Sequence, residues 1–179
     1  MKLFISPHND DEALFGAFII QREKPHIVVV TDGARHEKRY GIPVETRRRE
    51  SEAAALIMGA EVSFLGIPDD EIDPDDMELR LAVLKQGVTI ETVYAPAFYL
   101  NGNPDHNAVG QCASRVFGNK VIWYSTYTKE TPKIPGRVEI VPTEHELMVK
   151  RNALKCYASQ WPINRIYFDA AWNGSEYLD

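Results

Sequence analysis

The sequence has few cysteines, no long apolar run and no excess of positive charge. Only 2 of its 179 residues are cysteine, and Cys112 and Cys156 lie far apart without a Cys-x-x-Cys spacing. Isolated cysteines of this kind are typical of reduced, buried thiols, so we predict a cytoplasmic protein without a disulfide framework.

The apolar and charged residues exclude two classes of partner. Purely apolar runs such as Ile27 to Val30 are short, whereas a membrane-spanning helix needs roughly 20 apolar residues. The N-terminal segment Met1 to His8 runs into charge too soon for a signal peptide. The net charge of −6 is opposite to the basic surface that nucleic acid requires. We therefore predict no membrane and no nucleic-acid partner.

The rest of the composition is that of an ordinary globular protein. Hydrophobic residues make up 44% of the chain, enough apolar material for one core of normal size. We predict a single domain over residues 1–179 that acts on a small molecule. The composition leaves formation of a homo-oligomer open.

Segments typical of strands and of helices alternate along the chain. We predict strands at Lys2–Ser6, His26–Thr31, Val62–Leu65, Glu91–Ala95 and Val121–Tyr124, and a sixth at Val138–Val141. Helices are predicted between them, for example at Glu12–Gln21 and Val44–Met58, and the last twenty residues are predicted to form an irregular tail. This alternation predicts an α/β fold, with a mostly parallel central sheet of five or six strands and helices on both faces.

The loop after the first strand carries His8, Asp10, Asp11 and Glu12. Ligands of parallel sheets bind at the carboxyl ends of the strands, where this loop lies. Zinc binds imidazole nitrogen and carboxylate oxygen, and the spacing of His8 and Asp11 puts both on one side of a helix start. Asp10 is then left to take a proton from water that the metal acidifies. The alternative is that three acids simply begin a helix, but this does not account for the histidine.

The loop after the fourth strand carries Asn103, Pro104, Asp105 and His106. The first and fourth strands flank the switch point of many doubly wound sheets, so we expect His106 to face His8 as a third ligand. Asp105 can orient an imidazole, as groups around metal ligands commonly do. The alternative is an ordinary helix start, with an Asn cap, a Pro in the first turn and a solvated His106.

Six polar segments occur in order between about residue 4 and residue 160. They are Pro7-His8-Asn9-Asp10-Asp11-Glu12, Thr31-Asp32-Gly33, Arg47-Arg48-Arg49-Glu50, Leu65-Gly66-Ile67-Pro68-Asp69, Asn103-Pro104-Asp105-His106 and Tyr157-Ala158-Ser159-Gln160. The first resembles the P-H-x-D-D-E signature of the LmbE-like, PIG-L type N-acetylglucosaminyl de-N-acetylases. The other five are similar, in the same order, to further motifs of that family.

The resemblance implies a Rossmann-like three-layer sandwich and one zinc ion per chain. It also implies a hydrolase that removes an N-acyl group, usually acetyl, from an amino sugar, a glycoside or a related small molecule. The residues it implies are the metal ligands His8, Asp11 and His106, the catalytic residues Asp10, Asp105 and Asn103, and the substrate-binding residues Arg47, Asp32 and Asp69. Asp10 would be the base that activates metal-bound water. For Arg47, the alternative is a solvated helix arginine paired with Glu50 or Glu52.

One position departs from the family pattern. Asn103 stands where the family has a histidine that helps to stabilise the oxyanion. Asparagine can donate a hydrogen bond, but it cannot carry or deliver a proton. Two alternatives therefore stay open: a hydratase of a small unsaturated carboxylic acid that uses the same metal site, and a non-catalytic metal- or sugar-binding module.

Overall fold

A computed structural model of the chain describes residues 1–126 and 137–179, and these form an α/β fold around one central sheet. The strands are β1 (Lys2–Ser6), β2 (His26–Thr31), β3 (Val62–Ile67), β4 (Thr92–Pro96), β5 (Val121–Tyr124), β6 (Val138–Ile140) and β7 (Glu176–Leu178). The helices are α1 (Asp11–Phe15), α2 (Ala17–Glu23), α3 (Ala34–Tyr40), α4 (Val44–Met58), α5 (Pro74–Val83), α6 (Pro104–Phe117), α7 (Glu144–Lys155) and α8 (Arg165–Ala171).

The sheet is mostly parallel, which confirms the predicted fold class. Its strand order is β3-β2-β1-β4-β5-β7-β6, and the first five of these strands are parallel neighbours. The chain direction around the sheet reverses between β1 and β4, so the loops after these two strands meet at one crevice. His8 and His106 follow these strands, as the sequence predicted.

Alternating side chains of each strand pack into two separate hydrophobic cores, one on each face of the sheet. Phe4 and Tyr94 pack with α1, α2, α4, α7 and α8 on one face of the sheet. Leu3 and Val93 pack with α5 and α6 on the other face. Successive strand residues point to opposite faces, so both faces of the sheet are covered and the architecture has three layers.

The predicted helix over residues 12–21 is divided in two at Gly16. The ring of Phe4 lies so close to Gly16 that a Cβ atom there would overlap it. The backbone of Gly16 is not helical, and α1 ends and α2 begins at this residue. Close packing against the first strand therefore overrides a helical pattern that is otherwise continuous.

Two other segments differ from the sequence prediction. Residues 34–40, for which no element is predicted above, form α3 between two glycines, Gly33 and Gly41, that both have left-handed backbone. The last twenty residues, predicted as an irregular tail, contain α8 and β7, so the described sheet has seven strands rather than five or six. Helices α3 and α8 have 7 residues each, strand β7 has 3, and α3 has no buried residue. None of the three shows the apolar repeat that reveals longer elements.

The described helices include none that is long and apolar enough to cross a membrane.

Candidate metal centre and cavity

The turn after β1 presents His8, Asp10 and Asp11 at the carboxyl edge of the sheet. Asp10 has φ 130°, a left-handed value that side-chain-bearing residues rarely adopt. The backbone N–H of Asp10 donates to the Glu12 carboxylate at 3.1 Å, which holds the residue in this conformation. Strained backbone of this kind is concentrated at functional sites.

Glu12 is the buried anchor of this turn, and its role was not predicted from the sequence. Its carboxylate accepts a hydrogen bond from Ser6 Oγ at 3.0 Å and another from the Tyr157 hydroxyl. Burial raises the pKa of Glu12, and the Tyr157 hydrogen bond opposes that rise. Tyr157 lies beyond α7, so a residue late in the chain supports the first loop.

The start of α6 presents Asp105 and His106 to the same crevice. Asn103 caps the helix, because its Oδ1 accepts hydrogen bonds from the backbone N–H groups of Asp105 at 2.9 Å and His106 at 3.4 Å. Pro104 occupies the first turn, where its missing N–H has no cost. The oxygen of Asn103 therefore caps the helix, as the alternative reading of this segment expects. That reading also expects a solvated His106, but His106 is buried.

Three donor atoms converge between these loops. Asp11 Oδ2 lies 3.0 Å from His8 Nδ1 and 3.0 Å from His106 Nε2, and the two ring nitrogens are 3.2 Å apart. In a tetrahedral zinc site with ligand distances of about 2.0–2.1 Å, ligand atoms lie roughly 3.3 Å apart. Two imidazoles and one carboxylate at this spacing fit zinc with a position left for water.

The outer nitrogens of both rings are also held. Asp105 Oδ2 lies 3.0 Å from His8 Nε2, and Thr126 Oγ1 lies 3.1 Å from His106 Nδ1. Such contacts fix the tautomer and orientation of a metal-binding histidine. The position of Asp105 agrees with the prediction that it orients an imidazole; Thr126 carried no sequence signal.

The charges within this cluster favour an ionised Asp11. Burial would raise the pKa of Asp11, but His106 and His8 lower it well below its usual range. Burial likewise lowers the pKa of His8, but hydrogen bonds with Asp105 and Asp11 outweigh this and raise it to about 10. A metal ion would replace that proton, since only neutral imidazole is a ligand.

Asp10 pairs with Arg47 and is not one of the three residues whose donor atoms converge. Its Oδ2 lies 3.5 Å from Arg47 Nη2, and both side chains are buried. Burial raises the pKa of Asp10, and the Arg47 charge opposes that rise. Such a carboxylate holds a proton more readily than one in water, which suits a general base.

Arg47 itself is one of the largest fully buried side chains of the described chain. It donates to the Asn9 carbonyl and, over 2.8 Å, to Nδ1 of His36. Burial and the Arg47 charge lower the pKa of His36 to about 4, so its ring is neutral and accepts at neutral pH. Arg47 is therefore not a solvated helix arginine. Of the two partners expected in that alternative, Glu50 instead accepts from Ser159, and Glu52 pairs with Arg48.

The remaining predicted residues divide between the cavity and the surface around it. Asp69 lines the cavity and accepts from the Gly33 N–H at 3.1 Å. Asp32 does not line it, and its carboxylate accepts from the Ala34 N–H at the start of α3. Arg48 and Arg49, which adjoin Arg47 in the sequence, pair with exposed glutamates on the outer side of α4.

A cavity of about 710 Å³ opens beside these groups. One side of it lies beside the ligand atoms of His8, Asp11 and His106, here called the donor cluster. The lining of this side consists of His8, Asp10, Asn103, Asp105 and His106. Residues of α3 and of the loop after β4 form further parts of its wall. The volume is within the range of small-molecule sites.

The comparisons with known proteins agree with this fold. The sequence profile of PIG-L, described as GlcNAc-PI de-N-acetylase, matches residues 3–117. Among curated proteins, none matches the chain.

Three solved structures illustrate the structural similarity. A deacetylase triple mutant of the teicoplanin biosynthetic pathway has a TM-score of 0.77 at 17% identity, over 99% of this chain and 95% of the other. The hydratase GalB, which acts on 4-carboxy-2-hydroxymuconate in Pseudomonas putida, has a TM-score of 0.74 at 22% identity, over 96% and 83% of the two chains. A conserved protein from Thermus thermophilus has a TM-score of 0.75 at 23% identity, over 95% and 84%. These likenesses establish the fold.

Proposed function

Because the chain belongs to the PIG-L family, described as GlcNAc-PI de-N-acetylase, we propose that it is a metal-dependent hydrolase that removes an N-acetyl group from an amino sugar or a related small molecule. The observation that carries the proposal is the convergence of His8, Asp11 and His106 beside Asp10 and the cavity. The deacetylase structures with the same fold agree with it.

The metal would be held by Nδ1 of His8, the carboxylate of Asp11 and Nε2 of His106. When bound, zinc or a similar ion acidifies water and polarises a carbonyl group. Asp105 and Thr126 keep the two rings in the orientation that turns these nitrogens towards each other. Their part in the reaction is to position the ligands.

Asp10 is the residue that moves the proton. It accepts a proton from the attacking water while the water oxygen forms a bond to the acyl carbon. It then returns that proton to the amide nitrogen, the carbon–nitrogen bond breaks, and acetate and the free amine leave. The buried Asp10 carboxylate beside Arg47 suits both halves of this cycle.

Asn103 takes part through its amide group. Its oxygen is occupied by two backbone N–H groups of α6, so its NH₂ group is left for a ligand in the cavity it lines. There it can donate a hydrogen bond to the developing oxyanion. It cannot deliver a proton, which leaves both proton transfers to Asp10.

Acetate release tests this function. The chain, freed of metal with a chelator and then given one equivalent of Zn²⁺, should release acetate from N-acetylglucosamine glycosides only in the second state. Acetate and free amine should form in equal amounts. If the metal-restored protein leaves all N-acetyl sugars of a broad panel intact, the deacetylase proposal is wrong.

A hydratase is the second candidate, and Asn103 is the observation that favours it. The family histidine is absent, and a hydratase, GalB, is among the structures with this fold. Addition of water to a carbon–carbon double bond would need the same base, Asp10, but releases no acetate. Loss of the ultraviolet absorbance of small unsaturated carboxylic acids, in the same metal-restored protein, separates the two reactions.

A further inference from the structure

The segment 99–103, between β4 and α6, forms one wall of the cavity and ends at the cap of α6. It consists of Tyr99, Leu100, Asn101, Gly102 and Asn103, all of which line the cavity. Leu100 at its tip is 94% exposed, and Asn101 has a left-handed backbone with φ 64°. Packing therefore contributes little to the shape of this segment, which depends on how its two ends are held.

Asn107, in the first turn of α6, contacts both ends of the segment. At one end, its Oδ1 accepts from the backbone N–H of Tyr99 at 3.0 Å and its Nδ2 donates to the Tyr99 carbonyl at 2.9 Å. At the other end, the backbone N–H of Asn107 donates to the Asn103 carbonyl at 3.0 Å. The side-chain amide thus uses a donor and an acceptor on one residue. Aspartate could make only one of these two bonds, and leucine neither.

Gly102 shows how closely the amide of Asn107 is enclosed. The Gly102 N–H donates to the Tyr99 carbonyl at 2.9 Å, which closes a turn within the segment. A Cβ atom at Gly102 would lie 2.9 Å from Asn107 Oδ1 and 3.1 Å from the Tyr99 oxygen. Contacts this short force atoms apart, so even a methyl group at this position would displace the amide.

Tyr99 is also held from the opposite side, by residues next to the antiparallel edge of the sheet. Its hydroxyl donates to the carboxylate of Asp179, and Arg137 Nη2 donates to the hydroxyl oxygen at 3.2 Å. Arg137 Nε lies 2.6 Å from Asp179 Oδ1, and these two side chains are only 7% and 11% exposed. Tyr99 is therefore fixed relative to the sheet, and Asn107 ties the start of α6 to it.

We propose that Asn107 is a positioning residue for Asn103: by fixing the segment 99–103, it directs the Asn103 amide NH₂ group at the oxyanion. The role of Asn103 rests on the proposed function, whereas the fixed segment rests on the contacts of Asn107 alone. Asn107 adjoins His106, but Thr126 holds the His106 ring separately. Metal binding should therefore not depend on the Asn107 side chain.

Hydrogen–deuterium exchange at the Tyr99 amide tests the fixed segment without reference to activity. Asn107→Leu removes both side-chain bonds at similar size, and Gly102→Ala displaces the amide from the other side. In the zinc-loaded full chain, either change should speed exchange at Tyr99 by about tenfold, the effect of losing one hydrogen bond. Asn152→Leu makes the same change at an exposed position of α7 and should leave this exchange unaltered.

The zinc content is measured in the same four proteins and should equal that of the wild-type chain in each. Unchanged exchange at Tyr99 in Asn107→Leu and Gly102→Ala protein would overturn the inference. Loss of zinc from either variant would also overturn it, because the effect of Asn107 would then pass through His106 rather than Asn103.

Kinetics on the methyl glycoside of N-acetylglucosamine locate the effect at Asn103. Asn107→Leu should lower kcat by about tenfold with little change in KM, because an oxyanion contact acts only in the transition state. Asn103→Ser keeps an oxygen that caps α6 but removes the amide NH₂ group. In that background Asn107→Leu should cost less than about threefold, since its target is already absent. Equal losses in the two backgrounds would contradict the inference.

The proposed function is judged separately, by acetate release from the wild-type chain. A wild-type chain that releases acetate, with equal losses from Asn107→Leu in both backgrounds, retains the proposed function and loses the positioning role. A wild-type chain that releases no acetate contradicts the proposed function and with it the role of Asn107 in the reaction. Faster exchange at Tyr99 would in that case still establish the fixed segment.

Discussion

Two buried clusters of charge in this chain are built in different ways. In one, Lys150 Nζ lies 2.8 Å from Glu176 Oε1 and donates to the Leu14 carbonyl at 3.0 Å, and the Phe18 N–H donates to Glu176 Oε2. In the other, three donor atoms converge on one point beside a cavity. The polar groups of the first cluster bond to one another, and the second cluster opens on the cavity.

The contrast extends to the atoms left without a partner. Both oxygens of Glu176 are hydrogen-bonded, and the Lys150 ammonium also lies 4.7 Å from the centre of the Phe18 ring. Beside the donor cluster, the buried atoms Asn9 Oδ1 and Arg47 Nε have no hydrogen-bond partner. A closed cluster stabilises the fold, whereas incomplete bonding and strain mark a region built for function.

The largest effect on stability should come from opening the closed cluster. Lys150→Met leaves the Glu176 carboxylate buried without a counter-charge, which should lower the free energy of unfolding by about 3–5 kcal/mol. Urea denaturation measures it. Lys150→Met combined with Glu176→Leu removes both charges and should recover most of the loss. A cost below about 1 kcal/mol for the single change would show that the pair is not structurally important.

Asp10→Asn should instead lower turnover strongly and stability much less. It removes the base but no donor atom of the metal cluster, so turnover should fall by about 10²-fold or more. The metal content should stay close to wild type. The free energy of unfolding should fall by less than in Lys150→Met protein, because Arg47 keeps its hydrogen bonds to Asn9 and His36 and asparagine tolerates left-handed backbone. Asp169→Asn, on the exposed surface of α8, is the control. A near-normal rate in Asp10→Asn protein would remove Asp10 from the mechanism.

Glu12→Gln should lower both stability and turnover, because Glu12 supports the site from within the core. Glutamine has one acceptor oxygen where glutamate has two, so it cannot accept from Asp10 N–H and Ser6 Oγ on one side and from the Tyr157 hydroxyl on the other. We expect a loss of about 1–3 kcal/mol in the free energy of unfolding and a lower kcat with a smaller change in KM. Tyr157→Phe keeps the bond to Asp10 and should retain more of kcat. Equal kcat values in the two variants would contradict this role.

The smallest effect belongs to a surface pair outside both clusters. Arg22 holds the Glu146 carboxylate through two hydrogen bonds, and the pKa of Glu146 falls to about 2, mainly through Arg22. A lowered folded-state pKa stabilises the fold above the unfolded value, and that stability is lost as pH falls towards 2. Arg22 is 41% exposed, so solvent screening limits the contribution to about 1 kcal/mol.

Denaturation of the wild-type and Glu146→Gln chains at several pH values measures this contribution. The difference in the free energy of unfolding should be present at pH 6 and shrink steadily below pH ~4.5. Glu45→Gln, at the more exposed pair with Arg49, should show a smaller difference. A difference for Glu146→Gln that grows on acidification has the wrong sign for this account.

The sequence predicts the donor cluster well because the information is local. His8, Asp11 and His106 each follow a strand whose apolar run is evident, and parallel topology brings the two loops together. Tyr157 and Thr126, which complete the site, have no such signal. Their roles depend on the packing of α7 and the edge of β5 against the crevice, which no periodicity encodes.

Helix α3 is an element that the sequence pattern does not predict. Its sequence, Ala-Arg-His-Glu-Lys-Arg-Tyr, has no apolar stripe, because no residue of the helix is buried. Two glycines with left-handed backbone set its ends, and that conformation is visible only in three dimensions.

The most direct test of the central claim is the metal content of matched variants. We expect about one equivalent of zinc or a similar divalent ion in wild-type and Asp10→Asn protein, and loss of most of it in His106→Ala protein, because three ligands are the minimum of a catalytic site. Circular dichroism confirms that each variant is folded. Full occupancy in folded His106→Ala protein, or loss of the metal from Asp10→Asn protein, would contradict the division of roles proposed for these residues.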